Sequence, residues 1–256
     1  MSKVRFRVVT GTMGLIVGLA LAGCSVGVES PVGGSSEPVE TSFDFFAAAS
    51  LTDVAPELVQ AYNATHDPDF QVSLNFGASS KLVAQINGGE KPALLVTADT
   101  QSIKALERPE EYETPQDIAV NHLVLAVTTE SEIKDIAGIP GDKTVALCAP
   151  AVPCGRAAAT YLAAHPDFTG VFTEEVDVRS VLTKITSHQA DTGFVYATDV
   201  ASTNGKVQGF ALEGVEPNTY PLLVNKDASG AASDFAQWLH TEDAKAILKK
   251  AGFDTP

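Results

Sequence analysis

The sequence predicts an α/β protein with mainly parallel sheet. Short apolar runs alternate with segments of helical periodicity, as parallel βαβ units require. Apolar residues make up 45% of the 256 residues and charged residues 19%, enough to bury a sizeable core. No unit of 20–50 residues repeats, which argues against a solenoid or propeller.

Phe43–Ala48 reads as the first strand. Leu51, Val54, Ala55, Leu58, Val59 and Tyr62 then recur at helical spacing. Ser50 is expected at the N-cap of that helix, with Asp53 three residues on as a capping-box acid. Gln71–Phe76 reads as a strand, Gly77-Ala78 as a turn, and Ser79–Asn87 as a helix with Leu82, Val83 and Ile86 on one face. Leu94–Thr97, Leu123–Thr128 and Thr144–Leu147 follow as strands. Arg156–Ala164 is an alanine-rich helix, and Asp177-Val178-Arg179-Ser180 opens another. Gly193–Tyr196 and Tyr220–Val224 are the last strands. The chain ends in one helix from Ala231 to Ala251, stopped by Gly252.

The N-terminus sets the compartment. Lys3, Arg5 and Arg7 precede a 16-residue uncharged stretch, Val8–Gly23. That is short for a membrane span of about 20 residues and has the layout of a secretory signal. It ends in Leu21-Ala22-Gly23-Cys24, which resembles a bacterial lipobox; the resemblance implies cleavage after residue 23 and lipid on Cys24. A single-span anchor is the alternative. Residues 24–41, rich in Ser, Gly, Pro and Glu, read as a flexible tether. Loss of the three basic residues takes the net charge from −15 to −18. An acidic chain with no basic run is a poor partner for nucleic acid.

Cys148 and Cys154 remain in LCAPAVPCG. Outside the cell a close pair favours a disulfide, with free thiols as the alternative. Two cysteines without a neighbouring histidine fall short of a metal site. His66, His122, His165, His188 and His240 are scattered, and none stands beside an assignable nucleophile. GASSK is not the G-x-S-x-G of a hydrolase elbow. A lipid-anchored hydrolase or a purely structural surface lipoprotein are remote alternatives. The sequence predicts no enzyme and no cofactor.

Four strand-to-helix turns share a polar character: Ala49-Ser50-Leu51-Thr52, Gly77-Ala78-Ser79-Ser80, Val152-Pro153-Cys154-Gly155 and Asp177-Val178-Arg179. Ligands of parallel α/β sheets bind where such helices begin. Each turn offers free backbone N–H groups at the positive end of a helix. Converging, they would form a neutral, donor-rich cage for an anion; separately, Ser50 and Ser79 are ordinary caps. Asp53 and Asp177 read as helix-start residues, Arg156 and Arg179 as solvated or Asp-paired charges, and Trp238 as core.

From Phe43 to Phe253 the chain resembles the periplasmic molybdate-binding proteins of bacterial molybdate ABC importers. The likeness rests on FAAASLTD (Phe46–Asp53), FGASSKLVAQING (Phe76–Gly88), VPCG (Val152–Gly155), DVRSVL (Asp177–Leu182) and GFVYATDV (Gly193–Val200), in that order. AQWLHTEDAKAILKKAGF resembles the family's C-terminal helix. The resemblance implies a type II periplasmic-binding-protein fold: two α/β domains, a ligand cleft and two hinge crossings, near Asn121–Val124 and Tyr220–Leu223. Domain I would be 42–121 plus 222–256, and domain II 122–221. It implies a monomer that holds molybdate, and tungstate, through Ser50, Ser79, the backbone N–H groups of Cys154 and Val178, and the hydroxyl of Tyr196. The partner would be a membrane permease with its cytoplasmic ATPase. A sulfate, thiosulfate or phosphate receptor of the same fold is the nearest alternative.

Overall fold

A computed structural model of the chain describes residues 42–66, 71–133 and 139–256. The expected signal peptide, tether and lipidated Cys24 lie outside the described residues. Two five-stranded sheets organise the chain. The first has the order β2-β1-β3-β10-β4, from β1 (Ser42–Ala48), β2 (Gln71–Gly77), β3 (Leu94–Val96), β4 (Gln116–Asn121) and β10 (Asn218–Val224). The second has the order β7-β6-β8-β5-β9, from β5 (Leu123–Thr128), β6 (Thr144–Cys148), β7 (Val171–Glu175), β8 (Thr192–Tyr196) and β9 (Val207–Ala211).

The sheets are mixed, which corrects the expectation of mainly parallel sheet. β1 runs parallel to β2 and β3, and β6 runs parallel to β7 and β8. β10 is antiparallel to β3 and β4, and β5 is antiparallel to β8 and β9. These two are the strands that arrive from the other sheet. Only His122 separates β4 from β5, and residues 212–217 carry the chain back from β9 to β10. The return therefore precedes Tyr220–Leu223, which lie inside β10.

Each sheet has its own apolar core. Phe45, Leu58, Leu94, Phe235 and Trp238 are among the buried residues of the first, with α1 (Val54–Thr65), α7 (Gly230–Trp238) and α8 (Glu242–Lys250) packed on the sheet. A smaller cluster on the other face joins Phe46, Leu95 and Leu223 to Leu82, Val83 and Ile86 of α2 (Ser79–Asn87). In the second lobe, Leu125, Val145 and Phe194 pack with Tyr161 of α4 (Pro153–Ala164) and with Val181, Leu182 and Ile185 of α5 (Val178–Thr186). That α5 trio repeats at three and four residues, the stripe of an amphipathic helix. Ala49 and Ala78 of the first lobe join this second cluster, so the two lobes close against each other there.

The expected C-terminal helix is two helices. The Thr241 side chain accepts from the Ala244 N–H and restarts the helix. Glu242 and Asp243 then sit at its positive end, and Lys249 and Lys250 at its negative end. Gly252 at φ 94° closes it, with the Phe253 N–H on the Leu248 carbonyl. Short helices α3 (Thr100–Ile103) and α6 (Ala197–Ser202) and two 3-10 turns, Ala49–Leu51 and Pro109–Glu111, complete the described elements.

Candidate functional site

The four polar turns converge. Ser50, Ser79, Cys154, Val178 and Tyr196 all line one cavity between the lobes, together with Ala98 and Asp177. Its free volume is about 20 Å³. A water needs roughly 10–15 Å³, and organic ligands occupy pockets of about 300–1,000 Å³. The cavity therefore suits a small inorganic solute. Wider hollows of about 450, 560 and 600 Å³ lie elsewhere on the surface, and none is walled by helix starts from both lobes.

Ser50 is not an N-cap. It sits inside a 3-10 turn, Ala49–Leu51, and α1 begins only at Val54. Freed from capping, its Oγ lies 2.7 Å from the hydroxyl of Tyr220. Tyr220 also takes a bond from the Asn121 side-chain amide at 3.2 Å. The Asn121 amide cannot be turned round, because its Oδ1 already accepts from the His122 N–H at 3.0 Å. Its NH₂ thus donates to Tyr220, and to Thr198 Oγ1 at 2.8 Å. The single proton of Tyr220 is left for Ser50 Oγ, and the proton of Ser50 is left over.

Ser79 is also misplaced by the capping expectation. The cap position belongs to Ala78, and Ser79 is the first residue of α2. Its Oγ accepts from the Ala98 N–H at 2.9 Å. The Asn218 amide donates to the carbonyl of Ala98 at 2.8 Å and steadies that loop. As with Ser50, the protein donates to the serine oxygen and leaves the hydroxyl proton to donate. Ser50 and Ser79 are both buried, at 5% and 1% exposure.

The opposite wall supplies backbone donors. α4 starts with Val152 at the N-cap and Pro153 at the first position, where the missing N–H costs nothing. The Arg156 N–H already reaches the Val152 carbonyl. Cys154, one position ahead of Gly155, is therefore among the unpaired donors of the first turn. A disulfide joins Cys154 to Cys148 and ties this turn to the end of β6. Gly155 allows the arrangement, since a Cβ there would stand 2.0 Å from the Ala149 carbonyl oxygen. At α5, Asp177 caps the Ser180 N–H at 2.8 Å, as expected, and leaves that of Val178. Asp53 departs from its expected cap role: it makes no side-chain cap bond and pairs with Arg179 instead.

Tyr196 ends β8 with its ring 1% exposed, and its hydroxyl has no hydrogen-bond partner among the described residues. Burial, reinforced by the nearby Tyr220, Asp99 and Asp199, pushes that hydroxyl well above the usual phenol range, so it remains a donor. The rings of Tyr196 and Tyr220 meet edge to face at 6.3 Å. A buried hydroxyl without a partner costs about 1–3 kcal/mol. The fold tolerates that cost on a residue in the wall of this cavity.

Arg156 and Arg179 are Asp-paired, and the pairs span the lobes. Arg156 of α4 bonds Asp99 Oδ2 through Nε at 2.9 Å and Nη2 at 2.6 Å, and reaches Ser102 at 2.9 Å. Arg179 of α5 bonds Asp53 at 2.8 Å, and Asp199 and Ser202 at 3.3 and 3.2 Å. Neither guanidinium lines the cavity. Asp199 is buried and its Oδ2 accepts from the Tyr196 N–H, which fixes the end of β8. Desolvation raises its carboxyl to about 6 against the lowering effects of that N–H and of Arg179.

A set of neutral donors around a small cavity can hold a fully ionised oxyanion, exchanging its water shell for fixed dipoles. Sequence reasoning missed the residues behind the wall: Tyr220, Asn121, Thr198, Ala98 and Asp99. Tyr220 reads as one more apolar position of a strand, and nothing local marks its hydroxyl.

Two lobes around a closed cleft of donors define a solute-binding protein. Residues 43–254 match the family described as bacterial extracellular solute-binding protein, and the chain belongs to that family. It is 29% identical to the molybdate-binding protein ModA of Mycobacterium tuberculosis, over 94% of this chain and 95% of that one. The periplasmic molybdate-binding protein of Azotobacter vinelandii superposes with a TM-score of 0.70 at 21% identity, covering 84% of this chain and 99% of that chain. The sulfate-binding protein SubI of M. tuberculosis superposes with a TM-score of 0.73 at 19% identity, covering 84% and 86%. The last two likenesses bear on the fold alone.

Proposed function

We propose that this protein captures molybdate, and tungstate with it, for an ABC importer. Ser50, Ser79 and Tyr196 donate through hydroxyls, Cys154 and Val178 through backbone N–H groups. Residues 42–121 with 218–256 act as one domain and 122–217 as the other, and the anion favours their closed arrangement. The closed, monomeric protein hands its cargo to a permease served by a cytoplasmic ATPase. Lipid on Cys24, exposed by removal of a signal peptide at 1–23, holds it to the outer face of the membrane, and 24–41 form the tether.

The observation that carries this reading is the buried Tyr196 hydroxyl, which has no partner among the described residues and belongs to a residue lining the cavity beside Ser50 and Ser79. An oxyanion is the ligand that donors satisfy. The likeness to a molybdate-binding relative over almost the whole chain supports molybdate as that oxyanion. Hydrogenphosphate fits poorly, because the lining carboxylate, Asp177, is already engaged as the cap of α5, and an unpaired buried donor costs about 1–3 kcal/mol. Calorimetric titration with molybdate, tungstate, sulfate, thiosulfate and phosphate tests the assignment. Tight molybdate and tungstate binding, weakened at least tenfold by S79A, supports it. A preference for sulfate or thiosulfate moves the substrate, and no binding of any anion rejects it.

A further inference from the structure

We infer that Asn218 is a positioning residue of the anion site: through the Ala98 peptide it holds the Ser79 hydroxyl in the place where a ligand meets it. This deepens the oxyanion-receptor reading and rests on it. Asn218 opens β10, where the chain returns from the second lobe. It is the ladder partner of Asn121, the last residue of β4, so both crossings reach the first sheet side by side. Its Nδ2 donates to the Ala98 carbonyl at 2.8 Å, and the Ala98 N–H donates to Ser79 Oγ at 2.9 Å. The amide cannot be turned round, because an oxygen would then face the Ala98 carbonyl oxygen. Its Oδ1 is buried and has no partner among the described residues. The fold therefore bears an unpaired acceptor at this residue, and the bond to Ala98 is what the residue gives in return.

The neighbours of Ala98 have anchors of their own. The Thr97 N–H reaches the Pro221 carbonyl at 3.3 Å, and the Thr97 hydroxyl reaches the Asp99 carbonyl at 2.7 Å. The Asp99 carboxylate caps α3 and meets Arg156. Ala98 gives its carbonyl to Asn218 and its N–H to Ser79. A change at Asn218 is therefore felt at Ser79 and not at the Arg156 pair. Ser50 is held separately, by the Tyr220 hydroxyl. Helix α2 fixes the backbone of Ser79 and leaves its hydroxyl a choice of staggered positions, from which the Ala98 N–H selects one. Ala98 and Ser79 both line the cavity, with Asn218 behind them.

The test is a set of double-mutant cycles read by calorimetric titration with molybdate, at protein concentrations where even millimolar affinity registers. N218L replaces the amide with an apolar group of similar shape, and N218A removes it where leucine does not fit. Thermal unfolding without ligand confirms that each variant is folded. Either folded variant should bind molybdate about three- to tenfold more weakly, the worth of one neutral hydrogen bond. In an S79A background the same substitution should cost less than about twofold more, because the hydroxyl it positions is gone. In S50A and R156Q backgrounds its full effect should persist. Unchanged affinity, or a full loss that persists in S79A, would overturn the inference and leave Asn218 a packing residue. A loss that shrinks as much in S50A as in S79A would overturn it too, as a general disturbance of the cleft. Wild-type protein that binds no oxyanion would instead remove the receptor reading beneath it.

Discussion

Arg156 Nη2 lies 2.6 Å from Asp99 Oδ2, and this contact joins the second lobe to the first. Asp99 is no free partner: its other oxygen caps α3 through the Ser102 N–H. The carboxylate is therefore held in place before the lobes close. The pair is partly exposed, at 30% and 17%, so its worth is modest and open to screening by salt. It exists only when the lobes meet, so it adds to the closed population that a ligand selects.

R156Q should weaken molybdate binding about three- to fivefold at low ionic strength, from a partly exposed pair worth roughly 0.5–1 kcal/mol. The wild-type advantage should shrink as salt rises. Stability without ligand should hardly change. Titration at low and high salt checks this, and an effect independent of salt would contradict it.

Tyr196 gives a prediction of opposite signs. Y196F removes a buried hydroxyl that has no partner among the described residues. The ligand-free variant should be as stable as wild type or more so, because an unsatisfied group is gone. Molybdate affinity should fall about ten- to a hundredfold, the worth of a hydrogen bond to a charged group at roughly 1.5–3 kcal/mol. Paired thermal unfolding and calorimetry test it. Loss of stability without ligand would place Tyr196 among ordinary core residues.

The Cys148–Cys154 bridge closes a loop of a few residues ahead of α4. Chain-entropy reasoning gives such a short loop about 2 kcal/mol. C148S should lower the unfolding temperature by about 4–8 °C, at roughly 2–4 °C per kcal/mol for a chain of this size. It should also weaken ligand binding, since the turn bearing the Cys154 N–H loses its tether. Unchanged affinity would show that Pro153 and the packing around Gly155 order the turn by themselves.

Asp199 makes stability depend on pH. Its carboxyl is raised from 3.8 to about 6 in the folded protein, chiefly by burial. The folded state therefore holds this proton more tightly than the unfolded one. The associated stability is complete below about 4 and is lost as pH rises through about 6. D199N mimics the protonated form at every pH. The difference in stability, wild type minus D199N, should fall by about 2–3 kcal/mol between pH 4 and pH 7, at 1.36 kcal/mol per unit. Denaturant unfolding of both proteins at the two pH values measures it, and a constant difference would refute the assignment.

The legible parts of the fold are the parts that burial dictates. Leu123–Thr128 and Ser79–Asn87 have the bounds their periodicity predicts, because a central strand and an amphipathic helix are patterned by their neighbours. The strands that sequence reasoning missed, β4, β7 and β9, are all sheet edges. An edge has half the packing partners, and VFTEE in β7 exposes Val171 and Phe172, so no clean alternation survives. The antiparallel direction of β5 and β10 was illegible for another reason: direction depends on where the chain crosses, which leaves no local pattern. In the site, the four turns could be read because helix starts have a residue signature. Tyr220 meets Ser50 across 170 residues and Arg179 meets Asp53 across 126, and such pairings write nothing into either neighbourhood.

The most direct test of the account is thermal unfolding of the protein with molybdate, tungstate, sulfate and phosphate at one concentration. Ligand at about 100 times Kd adds roughly 2.7 kcal/mol to the folded state, a rise on the order of 5–10 °C here. The account predicts that rise with molybdate and tungstate and little change with phosphate, whose proton meets a lining carboxylate, Asp177, already engaged as a helix cap. A rise with phosphate equal to that with molybdate would contradict it.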